Sequence, residues 1–202
     1  MVSLPGMLLF TLQRKVLYIV YMPAGKEGPH VVLVDQNDRD IGTCSKLTAH
    51  VEGRLHRAIS VFVFDTDDRL LLQRRATTKY HSPGLWTNTC CTHPHPGESP
   101  GAAAHRRLIE EMGFDCPLKA SGSFIYRAVL TNGLVEHEYD QVFVGQFDGT
   151  PQPDPSEVAE WRRVGIEELL GDRDERSDAY TAWFWQALDK LIGDSVVIPT
   201  TD

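Results

Sequence analysis

Residues 87–98 read TNTCCTHPHPGE: two adjacent cysteines, two histidines and a glutamate, interrupted by Pro94 and Pro96, which forbid a regular helix. Neighbouring side chains on an extended chain point to opposite sides, so Cys90 and Cys91 are a poor disulfide pair. Cys90 reads as a small buried residue, the usual state of a free cysteine. Cys91 precedes His93 by two positions, and an electropositive setting of that kind lowers a thiol's pKa and suits it to proton transfer. Other ligand types are spread along the chain as His50, His56, Glu136 and Glu138. Imidazoles suit zinc, manganese or iron, and added carboxylates push a site toward five or six ligands. Glu136 and Glu138, at i and i+2, share one face of a strand and can address one ion. The spacing matches no short zinc pattern, so on spacing alone the histidines also fit surface or capping roles, and the glutamates a solvated strand face.

A basic set comprises Lys46, Arg74, Arg75 and Lys79, with Arg107 on a helix. Arginine forks pair with phosphate oxygens, so the set is either a diphosphate grip or ordinary solubilising charge at a strand end. The aromatic residues Trp86, Tyr126, Trp183, Phe184 and Trp185 complete the inventory. Most tryptophans anchor cores, but an aromatic face in a pocket also stabilises a cation without offering it a nucleophile.

The elements that must position these groups can be read from the same sequence. HVVLVD and IGTCSK are strands, and LHRAISVFVFD with LLLQRR is a hairpin turned by TDDR. Residues 76–99 are an irregular loop of the kind that is usually functional. Ser99 caps a helix with Pro100 at its first position, and GAAAHRRLIEEMG runs to a stop at Gly113. SFIYRAVL and LVEHEYDQVFVGQFDG form a second hairpin around TNG. VAEWRRV is a short strand, GIEELLG a helical turn, and DAYTAWFWQALDKLIG a closing helix. The expected fold is α+β, a mixed sheet with helices packed on it, in one domain over residues 30–193. Residues 1–29 form an extension and joint, and 194–202 a tail. The apolar start, MLLFTLQRKVLYIVYM, is split by Gln13-Arg14-Lys15 and is too interrupted to span a bilayer. With 202 residues the chain can bury a full core, and a net charge of −8 speaks against a general nucleic-acid or anionic-membrane partner. Four cysteines without a C-x-x-C pair fit free thiols in a reducing cytoplasm.

Taken together, CSKLTAHVEGRLHRA, LLLQRRATTKY, PGLWTNTCCTHPHPGES, HRRLIEEMG, FIYRA and VEHEYDQVF resemble type 1 isopentenyl diphosphate isomerase, a family of the Nudix fold superfamily. The resemblance spans about residues 31–192 and weakens at AYTAW. It implies an α/β/α sandwich and an enzyme that shifts a double bond by one position. A proton is added at one carbon of isopentenyl diphosphate and another is lost elsewhere, giving dimethylallyl diphosphate, a building block of isoprenoids, through a tertiary carbocation. It implies Cys91 and Glu138 as the proton-transfer pair, Tyr126 hydrogen-bonding near the reacting carbons, and Trp183 laid against the cation. It further implies His50, His56, His93, Glu136 and Glu138 around a divalent zinc, manganese or magnesium ion. Glu111 would hold a second ion, magnesium, bridging to the diphosphate, with Lys46, Arg75 and Lys79 on phosphate oxygens. A monomer or weak dimer is expected, with no nucleic-acid partner.

The hydrolytic Nudix pattern reads G-x5-E-x7-R-E-U-x-E-E-x-G-U, where U is bulky and aliphatic. Thr92 stands at its first Gly and Arg107 at the Glu after Arg106, while Glu98, Glu110, Glu111 and Gly113 remain. An arginine in place of a metal-binding carboxylate predicts weak diphosphate cleavage, with a Nudix diphosphohydrolase as the alternative. An inactive diphosphate-binding module of the same fold would have no use for Cys91 and Glu138 together.

Overall fold

The computed structural model describes residues 7–9, 19–21, 28–130 and 132–193. Strand β5 (His56–Phe64) is the axis of the fold. Its apolar, β-branched run must be covered on both faces, and it is. β6 (Leu70–Arg75) returns from it through a turn in which Asp65 accepts from the backbone of Asp67 and Arg69. β10 (Val135–Gln146) lies parallel to β5 with Glu138 opposite His56, and β9 (Leu118–Val129) pairs antiparallel to β10 with Tyr126 opposite Glu138. β11 (Val158–Val164) adds to β6, and β3 (His30–Val34) with β4 (Asp40–Ser45) joins at His56. The sheet is therefore mixed. Before it, β1 (Met7–Leu9) and β2 (Ile19–Tyr21) pair with each other as a small antiparallel sheet. Among the described residues no helix is long and apolar enough to cross a membrane.

Strand alternation sends consecutive residues of β5 to two different cores. Phe62 and Phe64 pack with Leu70, Leu72, Val142 and Val144 beneath α3 (Ile166–Arg176) and α4 (Phe184–Gly193). Ile59, Val61 and Val63 pack on the opposite face with Leu71 and Phe143, under α2 (Pro100–Arg107) and the π-helical turn Leu108–Met112. Each fully buried Leu, Ile or Phe contributes about 1.5–3 kcal/mol, so these two layers rather than the loops hold the fold.

Several elements differ from the sequence reading. KLTAHVE is a helix, α1 (Lys46–Glu52), capped by Ser45, whose hydroxyl accepts from Thr48 N, and ended by Gly53 at φ 63°. Both signals, a serine N-cap and a left-handed glycine, are present in the sequence. The loop after β6 contains β7 (Trp86–Thr87) and β8 (Cys90–Thr92), too short to carry a periodic pattern. The helix after Ser99 opens into a π turn at Leu108, and α3 is longer than one turn. The turn after Met112 needs Gly113: its φ is 73°, and a Cβ there would sit 2.2 Å from the carbonyl oxygen of Gln152.

Candidate active site

The ligand set comes from four elements. α1 gives His50, the start of β5 His56, the turn after β8 His93, and one face of β10 Glu136 and Glu138. One ligand atom from each of these five residues lies within 4.8 Å of all the others. That span suits a single divalent ion, since ligands on opposite sides of it at about 2.1–2.2 Å lie some 4.3 Å apart. The protons tell the same story. His50 Nδ1 is 2.6 Å from Lys46 O and His56 Nδ1 2.8 Å from Arg54 O. A carbonyl only accepts, so both rings carry their proton on Nδ1 and present a bare Nε2 inward. Nε2 of His50 then faces Oε2 of Glu136 at 3.1 Å, a contact that either an ion or a proton on Glu136 fills. Nε2 of His56 faces Nε2 of His93 at 3.1 Å, and His93 is 2.8 Å from Oε1 of Glu138. Inward-facing imidazole nitrogens and carboxylate oxygens are the donor types a divalent cation takes, and the set fits one.

The surroundings set the protonation of these residues. Burial, reinforced by Lys46, pushes His50 and His93 below the usual histidine range, so both rings are neutral. Burial pushes Glu138 up, but His93, whose Nε2 is 2.8 Å from its Oε1, overcomes it and holds the carboxyl well below its ordinary range. Glu136 goes the other way, raised by burial and by the neighbouring charge of Glu138. Two carboxylates this close share the burden unequally.

The cluster forms one end of a cavity with about 530 Å³ of empty space, part of it open to solvent. Cys91 and Glu138 line it together. β8 pairs with β5 so that Cys91 is opposite Ser60 and Cys90 opposite Val61, which puts Cys90 into the α2-side core and Cys91 into the cavity. The sequence expectation of a depressed Cys91 thiol is overturned: burial, with Arg75 opposing and the carboxylates of Glu111, Glu138 and Asp140 adding, pushes it up to about 12. It holds its proton. The basic motif neighbours sit here, yet removal from water outweighs their charge. Tyr126 donates to Oε2 of Glu138 at 2.6 Å. Trp183 is buried at the wall, its indole N–H donating to Asn88 Oδ1 at 3.3 Å, with the Arg75 guanidinium 5.6 Å from its ring. Trp185 packs on Tyr180 and Phe184 outside the cavity.

Lys46, Arg75, Lys79 and Arg107 bring positive charge to the same cavity. Arg74, by strand alternation, points away and binds Gly84 O at 2.9 Å. Lys79 is held by Glu157 at 2.5 Å, and Arg107 by Glu110, Glu111 and Glu157 at 2.5–3.3 Å. In Glu111 one oxygen accepts from Arg107 and the other from Gln73 Nε2 at 2.7 Å. The π turn separates the two adjacent glutamates, leaving Glu111 buried at the cavity and Glu110 outside with Arg106 and Arg107. Arg107 thus sits among the carboxylates its position would otherwise extend.

Every residue expected at the ion, the proton-transfer pair, the cation wall and the phosphate grip lines the cavity or its ion cluster. Sequence reasoning missed Ser60, His81 and Asp140. Asp140 was legible on the same strand face as Glu136 and Glu138; its Oδ2 accepts from Ser60 at 2.7 Å, and burial, then Glu138, pushes its carboxyl up. His81, in an irregular loop, carried no signal of its own.

A mixed sheet between helix layers, with glutamates on the helix after a loop, defines a Nudix-fold protein: the NUDIX domain model matches residues 54–184. Solved structures agree at the level of fold. They include the Deinococcus radiodurans protein DR0079 (TM-score 0.66, 18% identity, 79% of this chain and 97% of that one) and a MutT protein from Methanosarcina mazei (TM-score 0.59, 17% identity, 71% and 96%). Curated relatives are more specific. Isopentenyl-diphosphate Delta-isomerase 1 of Aromatoleum aromaticum is 54% identical over 162 residues, 80% of this chain and 92% of that protein. Isopentenyl-diphosphate Delta-isomerase 2 of Photorhabdus laumondii is 53% identical over 161 residues, covering 80% and 91%. The isopentenyl-diphosphate Delta-isomerase of Streptomyces coelicolor is 51% identical over 160 residues, covering 78% and 80%. This chain belongs to the isopentenyl-diphosphate Delta-isomerase family of Nudix-domain proteins.

Proposed function

We infer that the protein interconverts isopentenyl diphosphate and dimethylallyl diphosphate for isoprenoid biosynthesis. The observation that carries this is the shared cavity of Cys91 and Glu138, with a phosphate-grade basic cluster in the same space. Relatives of that name at 50–54% identity support it.

Lys46, Arg75 and Lys79, with Arg107 beside them, pin the diphosphate by charge-assisted hydrogen bonds and so hold the short hydrocarbon tail in the buried part of the cavity. A proton is delivered to the terminal methylene carbon, the positive charge falls on the tertiary carbon, and a proton leaves the methylene on its other side. Cys91 and Glu138 are the two carriers. After one turnover the donor has lost a proton and the acceptor has gained one, and proton exchange with solvent through the open side of the cavity resets both for the next turnover. Tyr126 steadies Glu138 through its hydroxyl and orients the carboxyl during transfer. Trp183 offers the cation a π face that cannot capture it, and burial of the wall keeps out the water that would. His50, His56, His93, Glu136 and Glu138 would hold a divalent ion, which would supply positive charge beside Glu138 and lower its basicity. Glu111, whose Oε1 is already paired with Arg107, would hold a magnesium ion that supplies positive charge at the diphosphate end of the cavity.

The isomerase unit is residues 30–193, acting as a monomer or weak dimer. All the cysteines are free, which supports a reducing cytoplasm. The test is incubation of either diphosphate in heavy water. Deuterium in the allylic product without phosphate release is the expected result. Phosphate release without label uptake would establish a Nudix hydrolase instead, a reaction for which Arg107 removes a needed metal-binding carboxylate.

A further inference from the structure

His81 lies outside the ligand set but against it. It is buried, with only 6% of its surface exposed, and its Nδ1 has no hydrogen-bond partner. A buried polar atom left unpaired costs about 1–3 kcal/mol, so its position calls for an explanation. That atom is aimed at Glu136: Nδ1 stands 3.6 Å from Oε1, while Oε2 of the same carboxylate faces His50 Nε2 at 3.1 Å. The ring is fixed on several sides. It stacks on His50 with centroids 5.9 Å apart and meets Trp183 and Tyr80 edge-on at 6.0 and 4.5 Å. Its own carbonyl accepts from Arg75 Nη2 at 3.2 Å.

We propose that His81 is a positioning residue for the ion site, donating its Nδ1–H to Oε1 of Glu136 so that Oε2 alone is turned to the metal. This rests on the ion-site reading above. The contact needs only a few tenths of an ångström of closure to become an ordinary hydrogen bond, and closure follows when Glu136 is drawn toward an ion. Held this way, Glu136 binds through one oxygen. Left free, it could swing away or chelate through both and displace another ligand. Hydrogen bonds of this kind to ligands are worth roughly 10- to 100-fold in metal affinity. The same residue links the two ends of the cavity, because its ring touches the ligands and its carbonyl holds the arginine over Trp183.

The test is the affinity of metal-stripped protein for Mn2+, followed by the electron paramagnetic resonance of the free ion, in wild type, His81→Phe and His81→Asn, with circular dichroism as the folding control. His81→Phe keeps the ring and its stacking but has no donor. His81→Asn places an amide N–H close to the position of Nδ1. Weakening of roughly 10- to 100-fold in the Phe variant, largely recovered in the Asn variant, is the expected result. A folded Phe variant that binds Mn2+ as wild type does would overturn the proposal and leave the ion site standing. A Phe and an Asn variant equally weakened would also overturn it, by showing that packing rather than the N–H matters. Wild-type protein that binds no Mn2+ would remove both this inference and the ion site beneath it.

Discussion

The two adjacent cysteines show how a difference of one position divides structure from chemistry. Cys90 is fully buried among Ile59, Val61 and Leu108, and Cys91 lines the cavity across from it. Cys91→Ala is therefore expected to lower turnover by roughly 10²–10⁴-fold while metal content by elemental analysis and the melting temperature stay close to wild type. Cys90→Ala should do the reverse, costing about 1 kcal/mol in urea denaturation with kcat little changed. An active Cys91→Ala enzyme would remove the thiol from the mechanism. At His93 the two roles coincide, since its Nε2 meets both His56 and Glu138. His93→Ala should lose bound metal and activity together, whereas loss of activity with full metal content would contradict its place in the ligand set.

At the scale of elements, the segment from the loop to the π turn couples the fold to the site. Glu98 accepts two hydrogen bonds from Arg106, at 2.7 and 2.8 Å, and tethers the loop carrying His93 to α2. The Arg106 hydrogen bonds, with help from the backbone of His95 against a smaller opposing effect of burial, lower its carboxyl from 4.5 to about 2. A depressed acid stabilises the folded state above its unfolded pKa, and that contribution fades as pH falls from about 4.5 toward 2. Wild-type stability should therefore drop through this window more steeply than that of Glu98→Gln, by no more than about 1 kcal/mol because the pair is partly exposed. Denaturation at pH 6 and pH 3 measures the difference, and parallel profiles would refute it. Gly113 joins the π turn to the segment containing Gln152, and the chain continues from there to Glu157, which holds Lys79 and Arg107. Gly113→Ala meets backbone at 2.2 Å and a positive φ. Its expected effect is a destabilisation well above about 1 kcal/mol and a raised KM for the diphosphate, read from melting curves and steady-state kinetics.

For the whole molecule, the candidate ion site sits where four elements of distant sequence meet, so an ion bound there should stabilise the native state alone. A ligand at a hundred times its Kd adds about 2.7 kcal/mol. Stripping with a chelator should lower the melting temperature by several degrees and remetallation should restore it, with the β-sheet signal in circular dichroism unchanged at low temperature. A melting temperature indifferent to chelation would mean that the five ligands hold themselves together without an ion.

Sequence alone determined what is local or chemical in kind. The apolar run of β5, the shared face of the glutamates at i and i+2 on β10, the Ser99 cap and the Gly113 stop are set by neighbours a few positions away, and the structure kept them. The likeness of the quoted motifs supplied the cavity's roles, because residue types at fixed spacing constrain which chemistry is possible. Tertiary structure decided the rest. α1 needed a sheet to pack on before its short, weakly patterned run could be seen as a helix, and β7 and β8 exist only through pairing with β6 and β5. Whether the Cys91 thiol was acidic or protonated depended on burial, which no pair of neighbouring letters encodes. His81 entered the site because the loop folds back across β6 to reach Glu136, fifty-five positions along the chain. Proximity of that range is a property of the folded chain, in which long-range packing overrides sequence distance.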